Sequence, residues 1–168
     1  MKKLITVFAL AALCVVIALG SVACKGSDKP ANDVPSAVTT KSPAEIYNAV
    51  VAVAKFDGMT VVPTRDYTDI YGIDPAKVDS SVWYMSENPS LNADEVAIFK
   101  LSDETYAEEL SKLFKDRIAR QLQVAETYSP AEASKLENAE VVVNGSWVYY
   151  CVGAEAEAMM KVLRSEIK

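Results

Sequence analysis

Ala139-Glu140-Val141-Val142-Val143-Asn144-Gly145-Ser146-Trp147-Val148-Tyr149-Tyr150-Cys151-Val152 is the stretch from which the fold class is read. Asn144-Gly145 supplies the two positive-φ positions of a type I′ turn between β-branched and aromatic runs, so the segment predicts a β-hairpin. Gly153 ends it, and Ala156, Met159, Met160, Leu163 and Ile167 then share one stripe of a final helix from Ala154 to about Ile167. Upstream the same rhythm precedes it. Val82-Trp83-Tyr84-Met85 and Glu95 to Leu101 read as two strands joined by the turn-rich Asn88-Pro89-Ser90-Leu91-Asn92. A long helix capped by Ser102 or Asp103 follows, with Tyr106, Leu110, Leu113, Phe114, Ile118, Leu122 and Ala125 at helical spacing and Glu108, Glu109, Lys112, Lys115, Asp116 and Arg120 mostly outside.

Two shorter signals complete the domain. Ser42-Pro43-Ala44-Glu45 is a helix cap, a first-position proline and a capping-box glutamate, predicting a helix to about Lys55, and Ser129-Pro130-Ala131-Glu132 repeats that signature for one or two turns. Phe56 to Asp79 is punctuated by Gly58, Pro63, Gly72 and Pro75, and is compatible with a short strand at Met59 to Val62 and a short helix at Pro75 to Asp79. Helix, strand-strand-helix, strand-strand-helix predicts an α+β, two-layer domain at 42–168: a mostly antiparallel four-stranded sheet with helices on one face.

The front of the chain is of another kind. Lys2-Lys3, an apolar run from Leu4 to Leu19 and the small-residue end Gly20-Ser21-Val22-Ala23-Cys24 have the form of an export signal over residues 1–23. Sixteen residues at about 1.5 Å each span about 24 Å as a helix, short of the ~30 Å hydrocarbon core that a permanent span must cross. Val22-Ala23-Cys24 resembles the lipobox of bacterial lipoproteins, with Ser21 standing where that box has Leu; the same residues also suit an ordinary cut after Ala23 and secretion. Cys14, preceded by Leu13, reads as a small hydrophobe inside the signal. Residues 24–41, the acylated Cys24 and the polar, proline-bearing Lys25 to Lys41, read as an anchor and a flexible tether reaching about 20 to 25 Å.

Charge and composition exclude more than they assign. The 168 residues carry 17 Lys+Arg against 23 Asp+Glu, a net charge of −6 that speaks against a nucleic-acid partner. Removal of the leader takes two lysines and leaves a mature surface near −8, which anionic headgroups would repel. The expected bilayer partner is therefore reached through acyl chains on Cys24. With no histidine at all, a Ser-His-Asp triad, a Cys-His pair and any histidine-ligated metal are excluded. Cys151 is the one cysteine of the domain, so no internal disulfide forms, and its apolar neighbours predict an inert core thiol. Asp66, Asp69, Asp74 and Asp79 read as turn caps, since no calcium-loop ladder accompanies them. No Gly-rich phosphate loop or C-x-x-C occurs, and no cofactor is expected.

The order and spacing of Tyr71-Gly72-Ile73-Asp74, Ala93-Asp94-Glu95-Val96-Ala97-Ile98-Phe99, Arg117, Tyr128 and Glu137-Asn138-Ala139-Glu140-Val141-Val142-Val143 with Gly145 resemble the domain of unknown function 4358, over roughly Ala44 to the C-terminus. The resemblance implies a small lipoprotein of Gram-positive bacteria, a fold and an address, and no activity.

Two features invite a functional reading. Glu95 opens an apolar strand and Arg117 lies among the inward positions of the long helix, so they form either a partly buried ion pair joining helix to sheet, the favoured reading, or the polar floor of a pocket walled by Tyr71 and Tyr128. Trp83, Tyr84, Trp147, Tyr149 and Tyr150 alternate across the sheet and would form an aromatic platform if one face stayed uncovered. The function expected is a membrane-anchored extracytoplasmic binding or interaction module for an unidentified protein, peptide or glycan. An enzyme working through carboxylates and tyrosines and an accessory subunit of an envelope complex are the alternatives.

Overall fold

Ser42 caps the first helix of the computed structural model, which describes residues 39–168. The capping box forms: Glu45 N donates to Ser42 Oγ at 3.3 Å and Ser42 N donates to Glu45 Oε2 at 2.8 Å. This helix, α1, runs Pro43–Val51 and buries Ile46 and Val50. It stops short of Lys55; Val53, the next apolar position, is 40% exposed, while Ala54 and Phe56 pack partly buried against the core beyond the helix. Strand β1 (Met59–Val61) follows, then helix α2 (Asp66–Tyr71), which the punctuated sequence did not announce. Gly72 ends α2 in the left-handed region at φ 71, donating its N–H to Thr68 O at 3.1 Å.

The remaining elements are β2 (Val78–Ser86), β3 (Glu95–Leu101), α3 (Ala107–Tyr128), α4 (Pro130–Glu137), β4 (Val142–Asn144), β5 (Trp147–Val152) and α5 (Ala156–Glu166). The sheet is five-stranded and wholly antiparallel, in the order β1-β2-β3-β5-β4. Met59–Val61 adds an edge strand to the four expected.

Helices cover both faces of this sheet, which corrects the one-sided arrangement. β3 and β5 are buried on both sides: Val96, Ile98, Tyr149 and Cys151 point to α1 and α5, while Ala97, Phe99, Val148 and Tyr150 point to α2, α3 and α4. Apolar runs without alternation, EVAIFKL and WVYYCV, are the physical reason, since a strand with a wet face would keep polar residues at every second position. No aromatic platform therefore remains. Trp83, Trp147, Tyr149 and Tyr150 are each at most 5% exposed, and Tyr84 stacks on Tyr47 of α1 with ring centroids 4.3 Å apart. Around Trp83, the rings of Phe99 and Phe114 meet edge-on at 5.2 to 6.0 Å, a geometry that adds to their burial.

The hairpin forms one step later than the Asn-Gly signal predicts. Asn144 pairs with Trp147, so the two loop residues are Gly145 and Ser146, with Gly145 at φ 56. Ser146 O accepts from Leu101 N at 2.7 Å, and this bond to β3 holds the turn in that register. Close by, where Asn144 Nδ2 donates to Ile167 O at 3.3 Å, Thr39 Oγ1 donates to Glu166 O at 2.7 Å and Lys41 pairs with Glu166 at 2.6 Å, tying the start of the described chain to α5.

Candidate functional site

Glu95 is fully buried, and five donors meet its carboxyl group. Oε1 accepts from Arg117 Nε at 2.9 Å, from the Trp83 indole N–H and from the Tyr150 hydroxyl; Oε2 accepts from Arg117 Nη2 at 3.0 Å and from Gln121 Nε2 at 3.3 Å. Register explains the convergence. Glu95 sits opposite Met85 on β2 and Val152 on β5, with Trp83 and Tyr150 two positions inward on the same face. Arg117 and Gln121 reach it from successive turns of α3. Every neighbour is a donor, which suits the acceptor-only carboxylate.

Arg117 ties this cluster to the surface. Its guanidinium lies 5.2 Å from the Tyr71 ring centre and 5.3 Å from that of Trp83. Burial works against its charge, but Glu95 outweighs burial and the pKa of Arg117 is raised. Burial also pushes the Tyr150 phenol well above its ordinary value, and the neighbouring Glu95 charge adds to the rise.

Above Arg117 opens a groove of about 360 Å³. One wall is α3, presenting Arg117, Arg120, Gln121, Val124 and Tyr128 at spacings of three, four and seven residues along one side. The other is the β2–β3 loop, with Pro89 and Leu91, while Glu132 and Leu136 of α4 close one end. The loop is held at its return: Glu132 Oε2 accepts from Ala93 N at 2.7 Å, and Lys135 Nζ reaches both Glu132 and Asp94 at 2.9 Å. The walls are apolar and open, Leu91 being 70%, Val124 53% and Tyr128 79% exposed.

Of the four residues singled out from sequence, the structure places Tyr71, Arg117 and Tyr128 along this groove and Glu95 beneath it. Tyr128 stands eleven residues beyond Arg117, about 16 Å along the helix, and makes no contact with the Glu95 cluster. Arg120, Gln121, Val124, Leu91 and Glu132 were not anticipated as lining. The α3 members carry a signal, their period from Arg117; Leu91 carries none, because only the tertiary return of its loop brings it there.

A wider, more polar groove of about 900 Å³ lies between α4 and α5. Two of its charges are spent on each other, Arg164 pairing with Glu140 at 2.6 Å, and Lys135 is held by Asp94 and Glu132. Cys151 lines it as a buried free thiol whose pKa burial pushes up to about 12. Asp74 caps the short 3₁₀ turn at Pro75–Lys77 by accepting from Ala76 N at 3.0 Å, whereas Asp66 and Asp69 lie within α2 and Asp79 pairs with Lys100 at 3.3 Å. Among the described residues no cluster of three or more Cys, Asp or Glu side chains could hold a metal ion, and none of the helices is long and apolar enough to cross a membrane. Residues 1–23, the proposed lipidation site Cys24 and the tether as far as Val38 lie outside the described residues.

Residues 52–153 match the family described as a domain of unknown function (DUF4358), and the chain belongs to that family. No curated protein and no solved structure matches it.

Proposed function

We propose that this member of the DUF4358 family is an extracytoplasmic lipoprotein, anchored through Cys24, whose domain is a binding module with the α3 groove as its site. The groove itself is the supporting observation: in a chain of net negative charge, its apolar, exposed walls converge on two arginines, Arg117 and Arg120. Two further features favour binding over the alternatives. Glu95, the most buried carboxylate near the groove, is engaged by five donors and sits below the accessible surface, which leaves it poorly placed to move a substrate proton. Helices cover both sheet faces, so the flat aromatic surface that an accessory subunit would offer is missing among the described residues.

The test is calorimetric titration of the full chain in phosphatidylcholine nanodiscs with 3-phenylpropanoate, an apolar anion, against empty nanodiscs. Saturable heat that Val124→Asp abolishes without changing the melting temperature supports the groove. Heat indifferent to that substitution, or no heat, refutes it.

A further inference from the structure

Arg117 is divided between two surroundings. Its Nε and Nη2 are spent on Glu95 at 2.9 and 3.0 Å, which leaves the N–H groups of Nη1 without an acceptor among the described residues. That nitrogen is not buried, because the one buried side-chain polar atom lacking a partner among the described residues is Gln121 Oε1. Arg117 lines the α3 groove with its side chain 15% exposed, so the open edge of the guanidinium is offered to the groove.

Arg120 supplies the charge. Three residues on, it stands beside Arg117 on the same wall of α3. It forms no ion pair among the described residues, and Asp116, the acid one turn before it, is taken by Lys112 at 2.7 Å. The acids near the groove are unevenly balanced. Glu95 cancels Arg117, whereas Glu132, which closes one end, shares Lys135 with Asp94, each at 2.9 Å. One negative charge is therefore satisfied at Arg117 Nη1 and Arg120, while a second would meet the incompletely neutralised carboxylates of Glu132 and Asp94.

Resting on the reading of this groove as the binding site, we infer that its ligand is a small apolar acid of single negative charge, a carboxylate at the end of a hydrocarbon or aromatic chain. The carboxylate accepts from Arg117 Nη1 and Arg120, and the chain lies between Val124 and Tyr128 of α3 and Leu91 of the β2–β3 loop. The cavity of about 360 Å³ limits its size. At the roughly 30 Å³ that one water takes in the liquid, that is about 12 non-hydrogen atoms, and 3-phenylpropanoate is of this size. Such a carboxylate occurs on a free acid and at the end of an apolar peptide, and the two arginines read what these share. Charge-assisted hydrogen bonds to a carboxylate are the strong ones, so the head rather than the chain dominates the affinity.

The experiment is calorimetric titration of the full chain in phosphatidylcholine nanodiscs at pH 8, against empty nanodiscs and below the melting temperature of each variant. The probes are 3-phenylpropanoate, its neutral amide and 2-phenylethyl phosphate, which carries close to two charges at that pH. The acid is expected to bind at least tenfold more tightly than either. Arg120→Gln is expected to bring the acid within about threefold of the amide. Arg117→Lys, which keeps a charge beside Glu95 and loses Nη1, is expected to lower the preference for acid over amide at least threefold, a ratio that a purely structural Arg117 would leave unchanged. N-acetyl-phenylalanine, the same chain and carboxylate beside a peptide amide, separates the sources: binding at least as tight as that of 3-phenylpropanoate identifies a peptide end, weaker binding a free acid. Amide or phosphate binding as tightly as the acid overturns the inference and leaves the groove standing, as does a preference that neither arginine substitution alters. Silence from every probe overturns both.

Discussion

Arg117→Ala removes the partner that lies over Glu95 while leaving that carboxylate in a fully buried position. Breaking a buried ion pair from one side costs about 3 to 5 kcal/mol, because the remaining charge is uncompensated. Here three donors stay behind, from Trp83, Tyr150 and Gln121, and the vacated guanidinium volume adjoins the groove, so water can reach Glu95. Both effects point to the lower end, about 3 kcal/mol. The lost stacking of the guanidinium over Tyr71 and Trp83 adds about 0.5 to 1 kcal/mol. At about 3 to 4 °C per kcal/mol for a domain of this size, the melting temperature falls by about 10 to 16 °C. Thermal unfolding followed by circular dichroism reads the shift, and urea titration checks that the midpoint moves while the slope does not. Arg117→Lys, which keeps the charge and loses the two-pronged geometry, is expected between the variant and the wild type. A melting temperature within about 2 °C of wild type would refute the assignment of this pair to the fold; if ligand binding were lost in the same variant, Arg117 would belong to the site alone.

Gly72→Ala forces a side chain into the left-handed cap of α2, where space is open with Leu113 Cδ2 at 3.7 Å, and is expected to cost about 1 kcal/mol of strain in a urea melt. The peptide bearing Cys151 is expected to resist alkylation in the native protein at pH 8 and to label at the rate of global unfolding, as mass spectrometry of digests would show; fast native labelling contradicts the buried thiol with its pKa near 12. Alkaline stability follows from Tyr47, whose phenol burial and the stacked Tyr84 push up to about 12, and from Tyr150, which burial and the Glu95 charge also raise. The folded values lie above the ordinary 10, so the unfolded chain ionises first, and stability that is complete below pH 10 declines as the pH rises toward 12. Ultraviolet titration at the tyrosinate band alongside a pH series of melts checks this: solvated rings would ionise near pH 10 and contribute no decline in stability between pH 10 and 12.

Much of this architecture is legible in the residue order, and the failures have causes. The capping box at Ser42 and the hairpin around Gly145 depend on neighbours a few residues apart, so local chemistry suffices. The turn register did not follow from Asn-Gly because Leu101 on another strand claims the Ser146 carbonyl. Helix α2 lies between two prolines and a glycine, and its one buried side chain, Tyr67, gives no periodic stripe to detect. The second helical layer was encoded in the unbroken apolar runs of β3 and β5, a pattern that signals burial on both faces rather than a platform on one. Glu95 and Arg117 stood out because a charge amid apolar spacing must find a partner. The loop wall of the groove above them did not, since the position of that loop is set by Glu132 and Lys135 of α4.

The proposed export of the domain and its anchoring to a bilayer through Cys24 are tested most directly by the mass of the mature protein. Intact mass spectrometry of the membrane fraction is expected to show a chain beginning at Cys24 and heavier by a diacylglyceryl group, with that increment and the membrane association both lost in Cys24→Ala. A wild-type chain that retains residues 1–23, or a soluble one cut after Ala23 with no added mass, would contradict it.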